Sequence, residues 1–206
     1  MVVKITVVKS GFIGVTTLIE ALLDERAARK DISIHSISSG SKMHTEASED
    51  LEKNALLYDT DFFILVTPNA SLDVPKELAF NLSKHKPTIV VSDNPASKSI
   101  NDFSNENLGY IVVQGDPLIG IRQEFLDPIE MSNFNSDVLK VLSITGAFRA
   151  LVHEIDLVIS AINNSQPIVL PRVIVDKHKA LSHSGLSNPY AKSKALASYE
   201  MAKLVG

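Results

Sequence analysis

Apolar residues in this chain come in short runs separated by stretches of helical spacing. Lys4-Ile5-Thr6-Val7-Val8-Lys9 is a β-branched run that stops at Ser10-Gly11, the signature of a strand ending in a turn. Val15, Leu18, Ile19, Leu22 and Leu23 then share one face of a predicted helix, with Asp24-Glu25-Arg26 turned to solvent. Ile32 to Ser38 alternates as a second strand, broken by Ser39-Gly40-Ser41, and Thr45 to Tyr58 reads as a polar helix. Phe62-Phe63-Ile64-Leu65-Val66 is continuously apolar, as a strand covered on both faces should be. A helix over Val74 to Lys84 follows, then strands at Thr88-Ile89-Val90-Val91 and Tyr110-Ile111-Val112-Val113.

Strands separated by helices imply right-handed crossovers and a parallel sheet. No two-residue hairpin turn joins any two strands, so an antiparallel arrangement is the weaker reading. The fold class expected is α/β: an open parallel sheet with flanking helices, Rossmann-like over residues 1–115. Residues 116–206 are expected to form a helical part with a short strand, packed on the first domain or on another subunit. Asp127-Pro128 starts its first helix, the Asp capping free N–H groups and the Pro fitting the first helical position. A stripe from Phe134 through Val138, Val141, Leu142, Phe148, Leu151, Ile155, Val158 and Ile159 to Ile162 holds helical spacing as one long packing helix. Gly146 within it marks a bend or a close helix contact. A strand at Arg172 to Val175, a Ser-rich loop holding His178 and His183, and a helix from Pro189 complete the pattern.

Composition narrows the chemistry. With 206 residues, 45% of them hydrophobic, the chain can bury one sizeable core. A net charge of −4 argues against nucleic acid as a partner. The absence of cysteine excludes disulfides, thiolate metal sites and cysteine nucleophiles. The N-terminus runs straight into a strand without a leader pattern, and no apolar run is long enough to span a bilayer, so the expected location is cytoplasmic, with no membrane partner.

In an open parallel sheet ligands bind at the carboxyl ends of the strands. Three loops collect there: Lys9 to Gly14, Thr67 to Ser71, and Ser92 to Ala96. Gly11 and Gly14 let backbone N–H groups approach a ligand at a helix start, although a bare strand-to-helix turn needs the same glycines. Pro68 and Asn69 also make a strand-ending turn unaided, and Asp93 also reads as a helix cap. Lys9 stands where a dinucleotide fingerprint has its first glycine, and no acidic residue ends the second strand, which counts against NAD. Lys42 could face a ribose 2′-phosphate, so NADP stays open. No nucleophile elbow, Walker loop, carboxylate pair or metal-type histidine spacing is present. Such absences suit hydride transfer, where positioning two reactants supplies most of the catalysis.

At Gly120-Ile121-Arg122-Gln123-Glu124-Phe125-Leu126-Asp127-Pro128-Ile129-Glu130-Met131 the chain resembles the archaeal coenzyme F420-dependent methylenetetrahydromethanopterin dehydrogenases, which carry a Gly-x-Arg-x-Glu-Phe-Leu-Asp-Pro-x-Glu-Met segment. The likeness continues at Asn135, Leu139 to Leu142, Thr145-Gly146 and Phe148-Arg149. It extends to Leu22 to Ala27, Ser41-Lys42-Met43, Leu108 to Ile111 and Asn188 to Ala191, and so covers nearly the whole chain in order. The resemblance implies an oxidoreductase of one-carbon metabolism and methanogenesis. It would move a hydride between the deazaflavin coenzyme F420 and the methylene or methenyl unit on tetrahydromethanopterin, in a homo-oligomer needing no metal. It places Gly11, Phe12, Gly14, Pro68, Asn69, Asp93 and Pro95 around the deazaflavin. Arg122, Glu124, Phe125 and Asp127 shape the substrate cleft, with no protein group acting as catalyst. On the residues alone, Arg122 and Glu124 read rather as an ion pair steadying the connection before Pro128.

Three departures from the family accompany the likeness. Phe12 replaces an asparagine. Ser92-Asp93-Asn94-Pro95-Ala96 replaces Gly-Asp-Ala-Pro-Gly. Family members continue into a further C-terminal segment beyond the point matched by Gly206. A C-terminally shortened member is therefore expected. The alternative is a repurposed paralogue that binds a pterin, a deazaflavin or NADP without this turnover.

Overall fold

The computed structural model describes residues 2–13, 16, 19, 23, 28–103, 106–115 and 127–205, with the side chains of 128, 131 and 205 left aside. Six strands form one sheet: β1 (Val3–Lys9), β2 (Ile32–Ser38), β3 (Phe62–Thr67), β4 (Thr88–Asp93), β5 (Leu108–Val113) and β6 (Arg172–Val175). Their order is β2-β1-β3-β4-β5-β6, and every neighbouring pair is parallel. The expected open parallel sheet is therefore present. The strand Arg172–Val175 extends it, pairing Val113 with Val175 beyond β5.

Every residue of β3 and β4 is buried, which explains their unbroken apolar runs. Side-chain alternation sorts the sheet into two faces. Val3, Ile5, Val7, Ile64, Val66, Val91 and Val113 pack in one cluster with the C-terminal helices. Val8, Phe63, Leu65, Val90 and Val112 pack in the other with Leu51, Leu78, Leu82 and Phe103. Helices α1 (Thr45–Ala55) and α2 (Asp73–Ser83), with a 3-10 helix at Asn94–Asp102, cover that second face. Between β1 and β2, Ile19 and Leu23 are helical and buried on the expected face, and Thr16, outside that stripe, is helical and buried as well; Val15, Leu18, Leu22 and the Asp24 to Arg26 turn lie outside the described residues.

The single long helix expected from Phe134 to Ile162 is two helices, α3 (Pro128–Thr145) and α4 (Ala147–Asn163). Gly146 separates them at φ +96°, a left-handed conformation that closes one helix and that side chains disfavour. A Cβ there would also stand 2.3 Å from the Ala180 carbonyl oxygen, so the bend and a close contact coincide. Asp127 caps α3 as expected, its Oδ1 accepting from Ile129 N at 2.8 Å and Glu130 N at 2.9 Å.

The Ser-rich loop around His178 is instead a short helix, α5 (Lys177–Ser182), started by Asp176 Oδ1, which accepts from the N–H groups of His178 and Lys179. The last helix, α6 (Pro189–Val205), packs on α3. No helix among the described residues is long and apolar enough to cross a membrane.

Candidate functional site

The topology reverses direction between β1 and β3: β2 lies on one side of β1, and β3 to β6 follow on the other. Such a switch point opens a crevice at the carboxyl ends of the strands. The loops after β1 and β3 flank it, and the loop after β4 stands beside them.

Each loop is fixed by its own side chains. Gly11 has φ +79°, and a Cβ there would meet Met43 Sδ at 2.5 Å and Pro68 Cδ at 3.0 Å. Glycine thus lets the β1 loop turn beneath Met43 and against Pro68. Gly11 N donates to Ser39 Oγ (3.3 Å), which in turn donates to the Lys42 carbonyl (2.6 Å). On the other side, Asn69 Oδ1 accepts from Ser71 N at 3.0 Å, a self-contained turn. Ala70 N donates to Ser92 Oγ at 3.1 Å, and Ser71 Oγ donates to the Pro95 carbonyl at 2.9 Å. The β3 and β4 loops are therefore tied to each other by two hydrogen bonds.

Ser92 and Ala96, which replace glycines of the family, meet no backbone strain. Ser165 is the only non-glycine at positive φ among the described residues. Ser92 supplies the hydroxyl that holds Ala70, and Ala96 is fully buried in the 3-10 helix.

Gly11, Phe12, Pro68, Asn69, Asp93 and Pro95 thus occupy neighbouring strand ends. Phe12 is 46% exposed, an aromatic ring beside the crevice. Asp93 is buried at the end of β4, next to Val113 in register. It occupies the N-cap position of the 3-10 helix but makes no capping hydrogen bond with its side chain. The carboxylate of Asp127 is occupied with capping α3. Gly14, Arg122, Glu124 and Phe125 lie outside the described residues.

Register adds two residues that the sequence did not single out. Lys9 pairs with Val66, so Ser10 and Thr67 come next on their strands, and Thr67 pairs with Ser92. Ser10 is 1% exposed and Thr67 is 0%. Neither Ser10 Oγ nor Thr67 Oγ1 has a hydrogen-bond partner among the described residues. A buried, unpaired hydroxyl costs on the order of 1–3 kcal/mol; both lie at the switch point but are closed off from solvent. The surface open to a ligand is the exposed Phe12 ring and the turns after the strands, which fit a flat ring system.

A second cleft, of about 490 Å³, lies at the end of β2 and is lined by Lys42, His44, Glu46, Asp50 and Tyr58 among others. Lys42 is exposed there as expected, but Glu46 and Asp50 share the cleft and oppose a ribose phosphate. Among the described residues no three His, Asp or Glu side chains converge as a metal site.

Comparison with known proteins agrees with this geometry. The family model described as methylene-5,6,7,8-tetrahydromethanopterin dehydrogenase matches residues 3–206. The F420-dependent methylenetetrahydromethanopterin dehydrogenase of Archaeoglobus fulgidus is 46% identical over 205 residues, spanning 100% of this chain and 74% of the relative. The enzyme of the same name from Methanothermobacter marburgensis is 41% identical over 206 residues, spanning 100% of this chain and 75% of the relative. A solved structure of an F420-dependent methylene-tetrahydromethanopterin dehydrogenase, in complex with methylene-tetrahydromethanopterin and coenzyme F420, superposes with a TM-score of 0.91. That structure is 32% identical in sequence, and the match covers 99% of this chain and 75% of that one.

Proposed function

The chain belongs to the methylene-5,6,7,8-tetrahydromethanopterin dehydrogenase family, and on that premise we propose that it transfers a hydride between coenzyme F420 and the one-carbon unit of tetrahydromethanopterin. The observation that carries this is the superposition, over 99% of the chain, on an enzyme complexed with both reactants. The β1/β3 crevice at the topological switch point, with the exposed Phe12 ring beside it, supports it.

When bound, F420 supplies the two-electron acceptor: a hydride leaves the methylene carbon, the carrier becomes the cationic methenyl form, and one solvent proton completes the reduced deazaflavin. The chain's own residues bind and orient. We assign the deazaflavin to Gly11, Phe12, Gly14, Pro68, Asn69, Asp93 and Pro95. Arg122, Glu124, Phe125 and Asp127 are assigned to the substrate cleft. No side chain is required as a general base, because the carbon gives up a hydride rather than a proton.

The exposed apolar residues Ile129 and Ile144 on α3, and Tyr190, Met201 and Leu204 on α6, favour a homo-oligomer. The cytoplasm is the compartment we assign, on the strength of the family membership. Titrating the purified protein with F420 and following fluorescence quenching tests the site. Micromolar binding is expected, and its absence in a folded protein would remove the assignment.

A further inference from the structure

Tyr199, on α6, is 1% exposed. Its phenolic oxygen lies 2.6 Å from the Gln114 carbonyl oxygen and 2.5 Å from that of Val175. These carbonyls stand at the carboxyl ends of β5 and β6, where Gln114 N also donates to Val175 O at 3.2 Å. A phenol carries one proton, so a single O–H is shared between two acceptors, and a phenolate there would face two carbonyl dipoles. Burial, with Asp176, Asp93 and Glu200 nearby, pushes the phenol well above its ordinary value. Tyr199 therefore remains a donor across the physiological range. One turn further along, Lys203 Nζ donates to Gln114 Oε1 at 3.3 Å. A Cβ on Gly115 would stand only 3.3 Å from Lys203 Cα. Helix α6 is thus seated on the end of β5 at three successive points.

That strand end adjoins the crevice. Gln114 follows Val113, and Val113 is the register partner of Asp93. We propose that Tyr199 is a positioning residue for the deazaflavin site. By holding the Gln114 carbonyl it fixes the end of β5, and through the Val113–Asp93 rung it fixes the carboxylate beside the coenzyme. The inference rests on the functional reading above. The competing role is a plain fastener between α6 and the sheet, which would contribute to stability and leave the site untouched.

Tyr199→Phe keeps the ring and removes the one donor. F420 titrations of wild type, Tyr199→Phe and Arg29→Ala, each followed by fluorescence quenching, separate the two roles. Arg29 pairs with Asp31 and Asp156 away from these loops, so it serves as a stability control. Positioning predicts a roughly tenfold rise in Kd for Tyr199→Phe, the size of one lost hydrogen bond, with Arg29→Ala binding as wild type. Unchanged Kd in Tyr199→Phe, with wild type binding normally, overturns the inference alone. A folded wild type that does not bind F420 overturns the functional reading and this inference with it. Should Tyr199→Phe fail to fold, Lys203→Met removes a second tie to Gln114 without touching the phenol. Positioning then predicts a two- to threefold weakening, on the order expected for one long, part-buried hydrogen bond, and no change overturns it.

Discussion

Arg29 and Asp156 stand 127 positions apart in the chain, and Arg29 Nη1 donates to Asp156 Oδ1 at 2.5 Å. The same guanidinium holds Asp31 through Nε at 3.1 Å and Nη2 at 2.7 Å. Asp156 lies on α4 and Arg29 shortly precedes β2, so one side chain ties the start of the sheet to a C-terminal helix. The Arg29 side chain is only 16% exposed, but Asp31 and Asp156 are 43% and 39% exposed. Arg29→Ala is therefore expected to cost about 1–2 kcal/mol, less than a fully buried pair. Urea unfolding measures it, and the loss should shrink as salt screens the pair.

The pH dependence of that contact has a definite sign. Hydrogen bonding to Arg29 holds the Asp31 carboxyl below its ordinary 3.8. A carboxyl whose value is lower folded than unfolded contributes stability above the unfolded value, and loses it as pH falls through the folded one. Stability should thus decline with acid below about pH 4, and Asp31→Asn should flatten part of that decline. Unfolding midpoints across a pH series check this; an unaltered slope in the variant contradicts it.

Gly146→Ala should damage the fold far from the crevice. The new methyl would sit 2.3 Å from the Ala180 carbonyl and 2.6 Å from Ser184 N, at φ +96°. Both neighbours are backbone and cannot rotate away. The expected loss is about 2–4 kcal/mol by denaturant unfolding.

Thr67→Val separates folding from binding. The swap keeps the shape and removes an unpaired buried hydroxyl, so the protein without coenzyme should be as stable or up to ~1 kcal/mol more stable. F420 affinity should stay within about twofold of wild type, since a fully buried hydroxyl makes no contact for the coenzyme to lose. Paired unfolding and quenching titrations read the two effects. A variant that loses affinity for F420 while keeping its stability would show instead that the hydroxyl reaches the coenzyme.

Much of the sheet was legible because its central strands are buried on both faces. Phe62 to Val66 and Thr88 to Val91 could be little else, and the alternation of helices dictated parallel pairing. The break at Gly146 was only half legible: helical spacing passes through it unbroken, and the crowding by Ala180 and Ser184 that forces the turn comes from a distant part of the chain. Helix α5 was missed because its few residues carry no periodicity, only the Asp176 cap. At the site, glycines and prolines after strands marked the loops. Ser10 and Thr67 were invisible, since only strand register places them side by side. Tyr199 looked like one more residue of a terminal helix until its two carbonyl partners were seen. The resemblance at Gly120 to Met131 pointed to Arg122, Glu124 and Phe125, which the described residues do not reach.

The central claim is turnover, and one assay meets it directly. Purified protein is mixed with F420 and methylene-tetrahydromethanopterin, and the deazaflavin absorbance is followed. The account predicts loss of the oxidised deazaflavin band at a rate proportional to protein, with methenyl-tetrahydromethanopterin formed in equal amount. A folded protein that binds F420 and leaves that band unchanged in the presence of the pterin would contradict it.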